Sequence, residues 1–181
     1  MVALDMGPIG QLLEPTGNLS FEEAYDIFKE EVVAAKDADI IVIETMTDLL
    51  ETKAAVLAAK ENSNLPVITT MTFEENKRTF TGCSVSAMCL TLEGLGVDAM
   101  GVNCSLGPKD LIPIVEEISK WTSLPIVVKA NAGLPDPVTN TYDVDADQFA
   151  SIYREMLKYC VRTLGGCCGT KPDYIKAVKA M

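Results

Sequence analysis

The 181 residues contain no histidine. That absence removes the Ser-His-Asp triad, imidazole general bases and every histidine-ligated metal site. Any bound metal must be held by sulfur, carboxylate or amide groups. Basic residues are scarce as well: 15 Lys and Arg stand against 26 Asp and Glu, for a net charge of −11. This balance argues against nucleic acid or an anionic membrane as a partner. No apolar run is long enough to span a bilayer, and no secretory signal opens the chain. No Gly-x-Gly-x-x-Gly follows the first strand-like run, which argues against a dinucleotide site.

Cysteine, in contrast, occurs six times. Without a secretory context this usage points to a reducing cytoplasm and to a metal or reactive-thiol role. Two of the six are adjacent, in Gly165-Gly166-Cys167-Cys168-Gly169-Thr170, directly after the strand-like run Val161–Leu164. Neighbouring side chains of a strand point to opposite faces. Two vicinal thiols therefore reach one small target only where the backbone leaves strand geometry, and the flanking glycines permit that. A target suited to two thiolates is a soft or borderline metal ion such as zinc. A third cysteine, Cys104, ends the run Val97–Cys104. Cys104, Cys167 and Cys168 together make a three-thiolate zinc site with one open position. Structural packing or a vicinal disulfide is the competing explanation for the pair, and a thiol-redox role is disfavoured by the lack of Cys-x-x-Cys. Cys83, Cys89 and Cys160 read as ordinary structural cysteines, the first in a turn and the others in or beside apolar helical patterns.

Strand and helix signals alternate along the chain. Strands are expected at Val2–Asp5, Ile40–Ile43, Pro66–Met71, Val97–Cys104, Pro125–Asn131 and Val161–Leu164. Helices are expected from a capping box at Ser20 to about Lys36, then at Leu49–Lys60, Ser84–Leu95, Pro108–Trp121, Asp145–Tyr159 and Lys171–Met181. Continuous apolar strands joined by helices mean a parallel sheet covered by helices. An open doubly wound sheet and part of a (β/α)8 barrel both fit. Polar and cysteine residues collect in loops that follow the strands, which favours the barrel. A complete barrel takes about 250 residues, so this one falls short by roughly two βα units.

The runs Gly101-Val102-Asn103-Cys104 and Gly165–Gly169 resemble the homocysteine S-methyltransferase barrel, the family of betaine–homocysteine methyltransferases and of the homocysteine domain of cobalamin-dependent methionine synthase. Asp5-Met6-Gly7-Pro8, Ile43-Glu44-Thr45 and Lys129-Ala130-Asn131-Ala132-Gly133-Leu134-Pro135 resemble it too, in the same order. The resemblance covers essentially the whole chain. It implies an incomplete (β/α)8 TIM-type barrel in one partial domain, residues 1–181, supplying strands three to eight. The family's first two βα units, with their Asp-Gly-x-x-Gly-Thr segment, have no counterpart here, so a fragment, a truncated gene or half of a split protein is expected.

The resemblance further implies a methyltransferase that activates homocysteine on zinc held by Cys104, Cys167 and Cys168. Methylcobalamin on a separate domain or partner is one candidate methyl donor; S-methylmethionine and betaine are others. Cobalamin and folate domains, or the N-terminal barrel portion from another chain, are the expected partners. A free thiol is only a few per cent thiolate at neutral pH, and zinc removes that obstacle by displacing the proton. An all-sulfur ligand set favours alkyl transfer over hydrolysis. Glu44, at a strand's C-terminal end, is expected to bind the substrate's α-ammonium group, with a surface carboxylate or salt bridge as the alternative. Asn131 either fills the open zinc position or caps a loop. Asn103 is expected to orient the Cys104 loop, Asp5 to bind substrate or simply close its strand, and Thr69 and Thr70 to follow from β-propensity. A non-catalytic barrel fragment with a structural zinc is the competing reading.

Overall fold

A computed structural model describes residues 1–139 and 141–181. Among the described residues, six parallel strands form one sheet in sequential order: β1 (Ala3–Met6), β2 (Ile40–Met46), β3 (Val67–Met71), β4 (Ala99–Asn103), β5 (Ile126–Ala130) and β6 (Val161–Gly166). The helices α1 (Phe21–Ala34), α2 (Leu49–Asn62), α3 (Val85–Gly94), α4 (Pro108–Trp121), α5 (Ala146–Met156) and α6 (Pro172–Lys179) follow the strands one for one. No strand-order reversal occurs, so the doubly wound alternative falls and the chain is an incomplete parallel (β/α) barrel.

Helices α1, α2, α3 and α5 start where the N-cap side chain satisfies the first free backbone N–H groups, whereas α4 and α6 open on a proline instead. Ser20 and Glu23 form the reciprocal capping box of α1, and Asp145 and Gln148 that of α5. Asp48 caps α2 by accepting from the N–H groups of Leu50 and Glu51. The expected end of α1 at Lys36 is two residues long, since the helix closes on its cap at Ala35. The expected helix 145–159 ends as α at Met156 and tightens into a 3-10 turn, Leu157–Tyr159.

Strand alternation divides the sheet into two faces. Met6, Ile43, Met100 and Ile126 lie in one register row and are buried against the helices. Phe28, Leu111, Ile114 and Phe149 close that layer from the helix side. Asn103, Lys129 and Gly165 lie in another row, on the opposite, inner face, as do Thr70, Gly101 and Val127. The inner face carries the polar residues, and the loops at its C-terminal end carry the cysteines.

Tyr153 ties the helix layer to the site. Its ring is fully buried on α5, beside Phe149 at 4.4 Å between ring centroids. Its hydroxyl accepts from the Ala130 N–H at 2.7 Å and donates to the Gly165 carbonyl at 2.8 Å. It therefore fastens the ends of β5 and β6 to each other just before the Asn131 and Cys167 loops. Removing one hydroxyl should strand both groups in a buried place, at a cost of about 1–3 kcal/mol. Tyr153→Phe should accordingly show a lower denaturation midpoint with an unchanged slope in urea. An unaltered midpoint would mean that the two strand ends do not depend on this hydroxyl.

Candidate metal and substrate site

The backbone leaves strand geometry where each cysteine begins. β4 ends at Asn103, and Cys104 and Ser105 both adopt left-handed conformations, with φ of 59° and 58°. β6 ends at Gly166, and Cys167–Thr170 form a turn closed by the Thr170 N–H and hydroxyl on the Cys167 carbonyl, at 3.2 and 2.8 Å. Gly169, at φ 79°, allows that turn. The result is the departure needed for two vicinal thiols to face one point.

All six cysteines are free thiols. The sulfurs of Cys104, Cys167 and Cys168 lie within 4.8 Å of one another, and those of Cys104 and Cys168 are 3.8 Å apart. Zinc–sulfur bonds of about 2.3 Å in tetrahedral array place two sulfurs about 3.8 Å apart. The donor set thus fits a thiophilic divalent ion in both chemistry and spacing. The Cys104 thiol is pushed down to about 5, first because Cys167 donates to it. The Ser105 N–H, Cys168 and Asn131 act in the same direction, while burial opposes them. Cys167 and Cys168 are shifted upward, Cys167 chiefly by its bond to Cys104 and Cys168 chiefly by burial. Of the three, Cys104 is the thiol that its neighbours favour as the thiolate. The other thiols differ. Cys89 is buried and pushed up to about 12 by desolvation, Cys83 is raised by burial, and Cys160 is exposed at the start of β6.

Asn131 follows β5, and its side-chain oxygen accepts from the Cys168 N–H at 3.0 Å. Asn103 joins three strand ends. Its side-chain oxygen accepts from the Thr45 N–H at 2.8 Å and the Thr70 hydroxyl at 2.7 Å, while its amide nitrogen donates to the Thr45 hydroxyl at 2.7 Å. The same nitrogen lies 4.0 Å from the Cys167 sulfur. Thr45 has φ 63° and is the extra residue of a bulge between Ile43 and Met46. β2 accordingly runs to Met46, beyond the expected end at Ile43. Thr70 takes part in the network; Thr69, on the other face, has a buried hydroxyl with no partner among the described residues.

Glu44 forms an ion pair with Lys129. Burial pulls the Lys129 ammonium below its ordinary pKa, and the charges of Asp5 and Cys167 oppose that pull. Asp5, Glu44 and Lys129 thus belong to one electrostatic cluster that includes the cysteines. Lys129 falls within a motif noted in the sequence, yet nothing in its spacing marked it as part of the site. Nothing in the sequence marks Tyr142 either. Its ring lies against Gly169, where any side chain would collide with it, and its hydroxyl is raised first by burial and then by the charges of the three cysteines. A separate cavity of about 410 Å³, lined by Pro8, Thr47, Glu51, Phe80 and Ser105 among others, opens beside the cysteine loop without including a cysteine.

Two comparisons of sequence and one of structure agree with this arrangement. Methionine synthases of Mycobacterium leprae and Mycobacterium tuberculosis are each 32% identical over 185 residues, covering 97% of this chain. The chain spans only 15% of the length of either protein. The crystal structure of the apo form of the homocysteine methyltransferase MmuM from Escherichia coli superposes with a TM-score of 0.82 at 24% identity, over 99% of this chain and 62% of that one. Its metallated form gives 0.71 at 23% identity, over 86% and 51%. Finally, the model of the family described as homocysteine S-methyltransferase matches residues 1–181 from end to end, and this chain belongs to that family.

Proposed function

We propose that this chain is the homocysteine-binding, zinc-holding part of a homocysteine S-methyltransferase of the methionine synthase type, acting in the cytoplasm. The observation that carries the reading is the convergence of Cys104, Cys167 and Cys168 from two separate strand ends onto one point. When bound there, zinc would keep the substrate sulfur as the thiolate that accepts the methyl group. The chain's own residues do the rest. The three cysteines supply the ligands, and Cys104 is the one whose thiol is already drawn toward the deprotonated state. Asn103 holds the ends of β2, β3 and β4 at fixed spacing, so that Glu44 and Cys104 keep their relative positions. Asn131 fixes the Cys168 loop through its backbone. Glu44 receives the α-ammonium group of homocysteine on the inner face, with Asp5 adding negative charge nearby.

The methyl donor we assign is methylcobalamin on a separate domain or partner, since the matched relatives are methionine synthases several times longer than this chain. Cobalamin and folate domains are the corresponding partners. The net charge of −11 sets nucleic acid and anionic membrane aside. No helix among the described residues is long and apolar enough to cross a membrane.

X-ray absorption at the zinc edge tests the reading on the zinc-loaded chain. Adding L-homocysteine should raise the sulfur count from three to four, with the new sulfur at about 2.3 Å, and should release a proton. A ligand set that gains no sulfur would refute this function.

A further inference from the structure

The Glu44–Lys129 pair joins β2 to β5, strands that are not neighbours in the sheet, across the inner face. It is sheltered: the side chains are 27% and 20% exposed. The fold makes room for it. Lys129 and Gly165 are register partners on β5 and β6, and a Cβ at Gly165 would stand 2.9 Å from the Lys129 Cγ and 3.3 Å from its Cδ. The empty side of Gly165 is the slot along which the lysine stem lies. Asn103, in the same register row, places this slot one residue before Cys104.

An α-amino acid carries a positive and a negative group on one carbon. A glutamate in contact with a lysine presents the opposite signs side by side. A carboxylate offers about four acceptor positions and an ammonium three donors, so each partner can take a further bond without releasing the other. Two such dipoles pair head to tail, and both new bonds are charge-assisted.

We propose that Lys129 binds the α-carboxylate of the substrate while Glu44 binds its α-ammonium group, so that the ion pair is a clamp for the zwitterionic end of a thiol amino acid. The proposal rests on the reading of homocysteine as the thiol substrate. It assigns to this chain a specificity that zinc alone does not give: a thiol without the carboxylate reaches the metal but forfeits half of the clamp.

Calorimetric titration of the zinc-loaded chain separates the possibilities, with L-homocysteine and 3-mercaptopropylamine, which lacks the carboxylate, as probes. Lys129→Met keeps the length of the stem. It should weaken homocysteine binding by about tenfold or more, the effect of one charge-assisted hydrogen bond. Binding of 3-mercaptopropylamine should stay the same or tighten, because Glu44 loses its competitor. Lys129→Arg should retain the preference for homocysteine. Gly165→Ala, which pushes the stem aside without removing the charge, should reproduce the loss seen in Lys129→Met. Equal weakening of both ligands would reveal a purely structural lysine and overturn the clamp. Tightening of both would reveal a lysine that merely blocks Glu44, and would overturn it too. If neither thiol binds the unaltered chain, the proposed function itself is wrong and the clamp falls with it.

Discussion

Zinc should vanish from the purified chain when Cys104, Cys167 or Cys168 is replaced by Ser, and stay at one equivalent when Cys83, Cys89 or Cys160 is replaced. The first three sulfurs lie within 4.8 Å of one another. Two thiolates without the third leave a site short of the three protein ligands that a catalytic zinc needs. Much of the affinity should be lost, because the ordering of the loops no longer returns a full ligand set. The second group is built differently: Cys89 is sealed in the core and held as a thiol, with its pKa pushed up to about 12 by burial. Metal analysis after dialysis against a weak chelator gives the answer directly. Retention of zinc by Cys167→Ser would mean that the trio is not the metal site. Loss of zinc from Cys160→Ser would mean that an exposed thiol at the far end of β6 contributes to it.

Gly101→Ala should be the most damaging single methyl that the chain can receive. Gly101 lies on β4, two residues before Asn103 and opposite Val127 of β5. A Cβ there would run into the Val127 carbonyl and the rest of that residue's backbone. A side chain could rotate away, whereas a strand backbone held on both sides cannot. Overpacking a core costs about 1–3 kcal/mol and occasionally more, and this case should reach the upper end. For a chain of this size, about 3 kcal/mol corresponds to a fall of roughly 6–12 °C in melting temperature. Gly94→Ala is the matched control. Gly94 closes α3 with open space around its Cα, and alanine favours helix by up to about 1 kcal/mol. Differential scanning calorimetry should therefore move in opposite directions for the two variants. A Gly101→Ala protein that melts with the unaltered chain would show that β4 and β5 can separate to admit the methyl group.

The order of strands and helices was legible in the sequence because the signals are local. Apolar runs such as Ile40–Ile43 and caps such as Ser20 with Glu23 require no knowledge of the fold. The cysteine trio was legible for a related reason. Glycines around Cys167 and Cys168 announce a turn, and Cys104 ends an apolar run. The remainder of the site depends on registry between strands far apart in the chain. Thr45 and Asn103 are 58 residues apart and meet only because β2, β3 and β4 align as they do. Thr70 looked like any β-branched strand residue until Asn103 was seen to bind it. Lys129 carries no motif of its own; its partner lies three strands away, and its slot is the missing side chain of a glycine on a further strand. Periodicity cannot report such a relation.

The bulge in β2 sets a rule for how relatives of this chain can differ. Ile43 pairs with Thr69 and Met46 with Met71, so β2 spends three steps where β3 spends two. That surplus residue leaves Met46 in the apolar layer after Glu44 has turned to the opposite face, and it frees the Thr45 N–H for Asn103. Deleting Thr45 would restore regular alternation and leave Met46 opposite Met71, but it would remove the N–H and the hydroxyl that hold Asn103. Insertions and deletions should therefore be purged from the segment between Ile43 and Met46 even where the amino acids themselves drift. An alignment that opens a gap at this point has matched the wrong residues.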